Sequence, residues 1–230
     1  MVSLLLAIIY LSFISLGLPD TLLGAGWPVM QGQLGVPLSY MGILTVIISL
    51  GTVVSSLFTD KAVQKMGTGL TTAVSVGMTA LALLGFALAS EFWMLCLIAV
   101  PYGLGAGAVD AALNNYVALH YASRHMSWLH ACWGLGATIS PNIMGFALAK
   151  GMGYHAGYGF VAVIQCVLCI VLLSTLFLWK RKESGEEEVQ TEPLPIKKAV
   201  RIGGVPWVML SFFLYCSIEG TVQQCLQTAL

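Results

Sequence analysis

Ser12-Phe13-Ile14-Ser15-Leu16-Gly17-Leu18-Pro19-Asp20 decides the class of this chain, because it sets a glycine, a proline and an acid inside an apolar run that extends from residue 2 to residue 30. About 20 largely apolar residues suffice for a helix to cross a hydrocarbon core of roughly 30 Å. The run is therefore a membrane span. It lacks a charged n-region and outlasts a short h-region, so it does not read as a cleaved signal peptide. Further runs of the same kind cover 38–58, 68–89, 92–118, 128–149 and 156–179. A seventh opens near Val205, and its last residues, Gln223 to Leu230, are too polar and too few to complete a crossing.

Composition agrees. With 58% hydrophobic and only 9% charged residues, the chain departs from the soluble balance of roughly half apolar and a quarter charged. Ten Lys and Arg offset ten Asp and Glu, which leaves no basic surplus for a nucleic-acid backbone. The six cysteines, Cys96, Cys132, Cys166, Cys169, Cys216 and Cys225, lie within apolar runs and lack the spacing of a disulfide framework. Cys166-x-x-Cys169 has no second pair or histidine beside it to hold zinc. No metal and no cofactor is expected, and the cysteines read as small packing residues.

Charge placement orients the spans. Lys61 and Lys65 follow span 2, Arg124 follows span 4, and Lys180, Arg181, Lys182, Lys197, Lys198 and Arg201 follow span 6, whereas only Lys150 follows an odd span. By the positive-inside rule the N-terminus and the even linkers are cytoplasmic, in a multi-pass protein of the cell (inner) membrane. Trp27, Trp93, Trp179 and Trp207 fall near span ends, where interfacial aromatics belong. The stretch 180–202, with five glutamates and Pro193 and Pro195, reads as a flexible tether. The expected domains are a six-helix bundle over 1–179, this linker over 180–202, and the start of a second bundle over 203–230.

The decisive segment repeats. Ser211-Phe212-Phe213-Leu214-Tyr215-Cys216-Ser217-Ile218-Glu219 carries its acid at the same offset from a Ser-Phe pair as Asp20, and Gly107, Asp110 and Leu113 repeat the spacing of Gly17, Asp20 and Leu23. Spans 1 and 4 run in opposite directions, so their match is an inverted repeat, and spans 1 and 7 form a parallel one. An ionised side chain at mid-bilayer costs about 2.5 to 3.5 kcal/mol even on the lenient insertion scale. Asp20, Asp110 and Glu219 are thus expected to face a water-filled interior; the alternatives are a structural hydrogen bond or an interfacial position. A partly desolvated carboxyl loads and releases a proton near neutral pH. Once ionised, it accepts hydrogen bonds from substrate hydroxyls or amines, which links proton and solute binding.

Asn114 shares the helical face of Asp110 and is a candidate substrate contact, with a helix–helix hydrogen bond as the rival reading. Pro19 breaks span 1 just before its acid and frees a carbonyl. Gly103, Gly107 and Ala111 form a small-residue stripe for close helix packing. On span 5, His130 either relays a proton, stacks with Trp133 against a ligand, or is satisfied by a neighbouring helix. His120 and His125 read as linker residues and Gln165 as packing.

Six spans, a cytoplasmic tether, a seventh span and an acid repeated on spans 1, 4 and 7 together resemble the major facilitator superfamily. The resemblance implies an all-α polytopic membrane protein, a six-helix bundle built from 3+3 inverted repeats with a truncated seventh helix, and a missing C-terminal half as partner. Ser56-Leu57-Phe58-Thr59-Asp60-Lys61, with Lys65 and Gly67, is similar to the superfamily's G-x-L-x-D-R-x-G-R-R linker signature, with Ser56 and Phe58 departing from it. That likeness implies a gating role for Asp60, Lys61 and Lys65; read alone, they form an ordinary charged turn. Acids on spans 1 and 4 are similar to the fucose:proton symporter-like branch, which implies proton-coupled sugar symport through Asp20 and Asp110. Gly136-x-x-x-Ser140-Pro141-x-x-x-Gly145 partly resembles the pattern of drug:proton antiporters instead. The third alternative is a non-transporting sensor or scaffold. No nucleophile elbow, Ser/His/Asp order or metal-binding His-Glu pattern is present, so no enzyme is expected.

Overall fold

In the computed structural model the described residues are 2–183, 198 and 200–229, and of Glu219 only the backbone is described. Among them every regular element is a helix: α1 Val2–Asp20, α2 Leu22–Leu34, α3 Tyr40–Met66, α4 Thr68–Leu88, α5 Phe92–His120, α6 Ser123–Ala149, α7 Gly153–Ser174, α8 Leu176–Glu183 and α9 Val205–Ala229. The chain divides into two compact units, Met1–Glu186 and Glu187–Leu230. The second contains α9, whose apolar stretch is Val205–Ile218. The expected tether falls largely on 184–197, outside the described residues.

Among the described residues five helical runs are long and apolar enough to cross a membrane: Leu4–Leu34, Tyr40–Met66, Thr68–Leu88, Phe92–His120 and Gly153–Ser174. The fifth expected span, α6, has 27 residues and matches them in length. It is less apolar, because His130, Thr138, Ser140 and Asn142 sit along it.

Several boundaries differ from the sequence reading. Span 1 is two helices, and the break falls at Thr21, after the acid rather than before it. Span 2 continues for two turns past the expected end because nothing interrupts it before Gly67, which turns the chain into α4 at a φ of +79°. A side chain is strained at such a φ. Asp60, Lys61 and Lys65 therefore ride on a helix and not in a linker. Span 5 starts early enough to place His125 in its first turn, and span 6 breaks at Thr175 before α8.

The helix ends collect at two poles. At one, Trp27 Nε1 donates to the Leu38 carbonyl at 2.9 Å, Phe92 packs on Tyr40 with ring centres 4.8 Å apart, and Tyr154 Oη donates to the Ala89 carbonyl at 3.2 Å. This is the odd end, where the linkers after spans 1, 3 and 5 meet. At the even end Trp179 packs under Gly69 and against Tyr116, ring centres 5.0 Å apart, and Tyr10 Oη lies 2.7 Å from His125 Nδ1. Trp27 and Trp179 are each only 1% exposed, unlike Trp93 at 61% and Trp207 at 73%. Only the latter two are placed as interfacial aromatics would be; the first two plug the bundle's ends.

The closest helix crossings are α1 on α6, α3 on α5, α4 on α7 and α4 on α5. Exchanging spans 1, 2 and 3 with spans 4, 5 and 6 converts the first crossing into the second and returns the third to itself. Gly17 and Gly107 obey the same exchange. A Cβ on Gly17 of span 1 would strike the Trp133 carbonyl of span 5, and across the pseudo-two-fold one on Gly107 of span 4 would strike the Thr52 carbonyl of span 2. Gly136 against the Ile14 carbonyl and Gly103 against the Ile48 carbonyl tighten the same two crossings without being equivalent to each other. Gly17 and Gly107 are the glycines of the Gly-x-x-Asp repeat, so the sequence repeat has a packing counterpart: each lets its helix lie on a neighbour's backbone.

Candidate functional site

Two prolines shape the middle of the bundle. Pro19 has no N–H for the Ser15 carbonyl four residues back. That carbonyl is taken instead by Gln165 Nε2 of α7 at 2.6 Å, while Ser15 Oγ donates to Gln165 Oε1 at 2.7 Å. Pro141 of α6 likewise orphans the Ala137 carbonyl, which accepts from Thr21 Oγ1 at 2.8 Å. Each gap is closed by a side chain from another span, as an unsatisfied polar group in a membrane interior requires. Gln165, expected as packing, is a reciprocal hydrogen-bond clamp and only 2% exposed.

Asp20 sits between these two repairs as the last residue of α1. Residues 15 to 19 and 21 to 22 are all buried, and Asp20 alone is exposed. Both of its oxygens are engaged: Trp133 Nε1 of α6 donates to Oδ2 at 2.8 Å, and Tyr102 Oη of α5 donates to Oδ1 at 3.2 Å. Three spans thus converge on one carboxylate.

Asp110 of α5 is exposed as well. Its donor comes from its own helix, Asn114 Nδ2 to Oδ1 at 3.0 Å. Asn114 Oδ1 is buried and has no partner. Asp110 lies within electrostatic reach of Asp20 and of His130. His130 meets Phe13 of α1 edge-on, ring centres 5.9 Å apart, so of its three readings the stack on Trp133 is not the ring contact seen. Two carboxylates, an imidazole, an amide, an indole and a phenol are therefore gathered from spans 1, 4 and 5. Such a set accepts and donates hydrogen bonds to a polar solute and carries groups able to exchange protons.

The Major Facilitator Superfamily family model matches residues 9–228. The chain belongs to the major facilitator superfamily. No curated protein matches it. As a major facilitator it is a multi-pass membrane transporter of small molecules.

The remaining expected residues of this facilitator lie elsewhere or outside the description. Asp60, Lys61 and Lys65 project from the even end of α3, all exposed. Lys61 Nζ lies 5.7 Å from the Phe58 ring centre. The structure gathers none of the three with the acids. The side chain of Glu219 is not among those described. Within the antiporter-like stripe, Gly136 is accounted for by its contact with Ile14, whereas Gly145 faces open space. A groove of about 490 Å³ between α6 and α7, lined by Ile139, Asn142, Ile143, Phe146, Phe160 and Ile164, contains neither acid.

Sequence reasoning missed Tyr102, Gln165 and Thr21. A tyrosine inside an apolar span signals a hydroxyl in need of a partner, and an amide in span 6 signals an acceptor on a facing helix. Those signals were present. What the sequence lacks is the knowledge of which helices face each other.

Proposed function

We propose that the chain is a proton-coupled carrier of small polyhydroxylated solutes of the sugar type, working by alternating access with Asp20 and Asp110 as its coupling and binding acids. The observation that carries this reading is the exposure of Asp20 amid buried neighbours, with its two oxygens bonded to donors on two other spans. A carboxylate so placed is open to solute and proton, and any separation of α5 or α6 from α1 alters its hydrogen bonding. Protonation is thereby coupled to helix movement. Asn114 and His130 serve Asp110 in this reading, Trp133 serves Asp20, and Glu219 is the equivalent acid of span 7. Asp60, Lys61 and Lys65 act at the cytoplasmic gate, on the side where the N-terminus lies.

The test is accumulation of radiolabelled neutral monosaccharides in vesicles carrying the protein under an inward proton gradient. Asp20→Asn and Asp110→Asn each abolish gradient-driven accumulation and leave the amount of inserted protein unchanged. Unchanged accumulation in both variants overturns the assignment, and accumulation of a cationic dye's counterflow instead of sugar moves the chain to drug efflux.

A further inference from the structure

Of the ten Lys and Arg, nine follow even spans and only Lys150 follows an odd one. Topology selection runs against a positive charge on that side, so its surroundings ask for an explanation. Lys150 caps the odd end of α6 and is exposed. Its backbone N–H donates to the Phe146 carbonyl at 3.1 Å, and its Nζ lies 5.9 Å from the centre of the Phe146 ring. Among the described residues no carboxylate pairs with it.

Phe146 is also a wall of the groove of about 490 Å³ between α6 and α7, a volume within the range of about 300 to 1,000 Å³ common for ligand pockets. Ile139, Ile143, Phe160 and Ile164 complete it, and the lining is almost wholly apolar. Asn142 borders the groove, but its Nδ2 is turned back onto the Thr138 carbonyl at 2.8 Å. The exposure of Ile139, Phe146, Phe160 and Ile164 shows that the groove opens on the outside of the bundle. Counting residues from the odd ends of α6 at Ala149 and α7 at Gly153, with a rise of about 1.5 Å each, the groove descends from about 4 Å to about 16 Å below those ends. That is the depth of one leaflet of a hydrocarbon core roughly 30 Å thick. Lys150 stands at its mouth.

We propose that this groove binds a phospholipid with a net-negative headgroup, its acyl chain between Phe146, Phe160 and Ile164 and its phosphate on Lys150. The apolar walls suit any acyl chain; the ammonium selects the headgroup. A charge-assisted hydrogen bond to a phosphate oxygen is a stronger contact for that ammonium than an exposed ring face. The long lysine stem passes from one to the other without disturbing α6. The site is separate from Asp20 and Asp110 and does not depend on which solute they serve.

The experiment places the full chain in vesicles doped with phosphatidylglycerol or phosphatidylethanolamine, each carrying a photoactivatable diazirine in one acyl chain, and maps the labelled residues by mass spectrometry. Labelling is expected to concentrate on the groove relative to the exposed apolar face of α3 at Leu50 and Val53. At equal loading the groove takes up about fivefold more label from phosphatidylglycerol, as one lysine beside an anionic headgroup provides. Lys150→Gln changes an exposed side chain, removes that preference and leaves acyl labelling in place. Ile164→Trp fills the groove from a half-exposed position and lowers its labelling by both lipids, while α3 is labelled as before. Groove labelling no higher than that of α3 reveals ordinary boundary lipid and overturns the site. A preference for phosphatidylglycerol that survives Lys150→Gln overturns the assigned headgroup contact. A groove shielded from both probes, as under a second copy of the chain, overturns the proposal outright.

Discussion

The two acids of the repeat make an instructive pair. Asp20 and Asp110 each follow a glycine by three residues, and each of those glycines presses its helix onto the backbone of a neighbour. Their backbones are therefore equivalent under the inverted repeat. Their side chains are not. Asp20 is held by donors from α5 and α6, whereas Asp110 is held by Asn114 one turn along its own helix. Duplication preserved the crossing that makes the bundle, and the contacts that use the acids diverged. In the proposed mechanism Asp20, fixed across helices, senses their separation, and Asp110, held only within its own helix, is the acid open to a ligand.

The glycines test the shared half of this comparison, with the largest effect. Gly17→Ala and Gly107→Ala each add a Cβ against a backbone carbonyl that has no room to yield. Overpacking typically costs 1 to 3 kcal/mol, and here a loss of about 3 kcal/mol or more is expected in both variants. Gly32→Ala, with open space around its Cβ, stays within about 1 kcal/mol of wild type. Thermal unfolding of the detergent-purified protein measures all three. Tolerance of Gly17→Ala alongside collapse of Gly107→Ala would show that the two crossings are not equivalent.

How much of this the sequence made legible follows from the physics of each feature. Spans 3 and 4 start where expected and span 3 ends within a residue of expectation, because Gly67 and the polar Ser90-Glu91 pair interrupt apolar runs sharply. The end of span 2 was missed because Asp60 and Lys61 interrupt hydropathy but not helicity. Gly17, Asp20, Gly107 and Asp110 were readable because their spacing recurs within one chain. Trp27 and Trp179 read as interfacial because they lie near span ends, and only the packing reveals that Leu38, Phe92, Gly69 and Tyr116 enclose them. Tyr102 and Gln165 were invisible as site residues for a related reason. Each acts on a residue far away in sequence, and no periodicity encodes which helix it faces.

Trp133→Phe tests the divergent half with the next largest effect. It leaves Asp20 Oδ2 without its donor, and a hydrogen bond to a charged group contributes about 1.5 to 3 kcal/mol. At about 1.4 kcal/mol per factor of ten, gradient-driven monosaccharide uptake falls roughly ten- to hundredfold, with the amount of folded protein retained. An effect below threefold would remove Trp133 from the site and reduce its bond to a surface contact.

Asn114→Ala is the gentlest probe and the one that separates two meanings of the same hydrogen bond. If Asn114 only steadies Asp110, its loss removes a same-helix pair worth about 0.2 to 0.5 kcal/mol. Water reaches the exposed carboxylate in its place, so uptake changes by about twofold or less. The buried, unpartnered Oδ1 of Asn114 points to a larger stake only when a solute donor fills it. A substrate contact therefore appears as a rise in the half-saturating monosaccharide concentration well beyond twofold with an unchanged maximal rate, and a merely structural role keeps both within about twofold. Should Asn114→Ala match Trp133→Phe in severity, Asp110 would be as firmly held as Asp20, and the contrast between a fixed acid and an open one would fall.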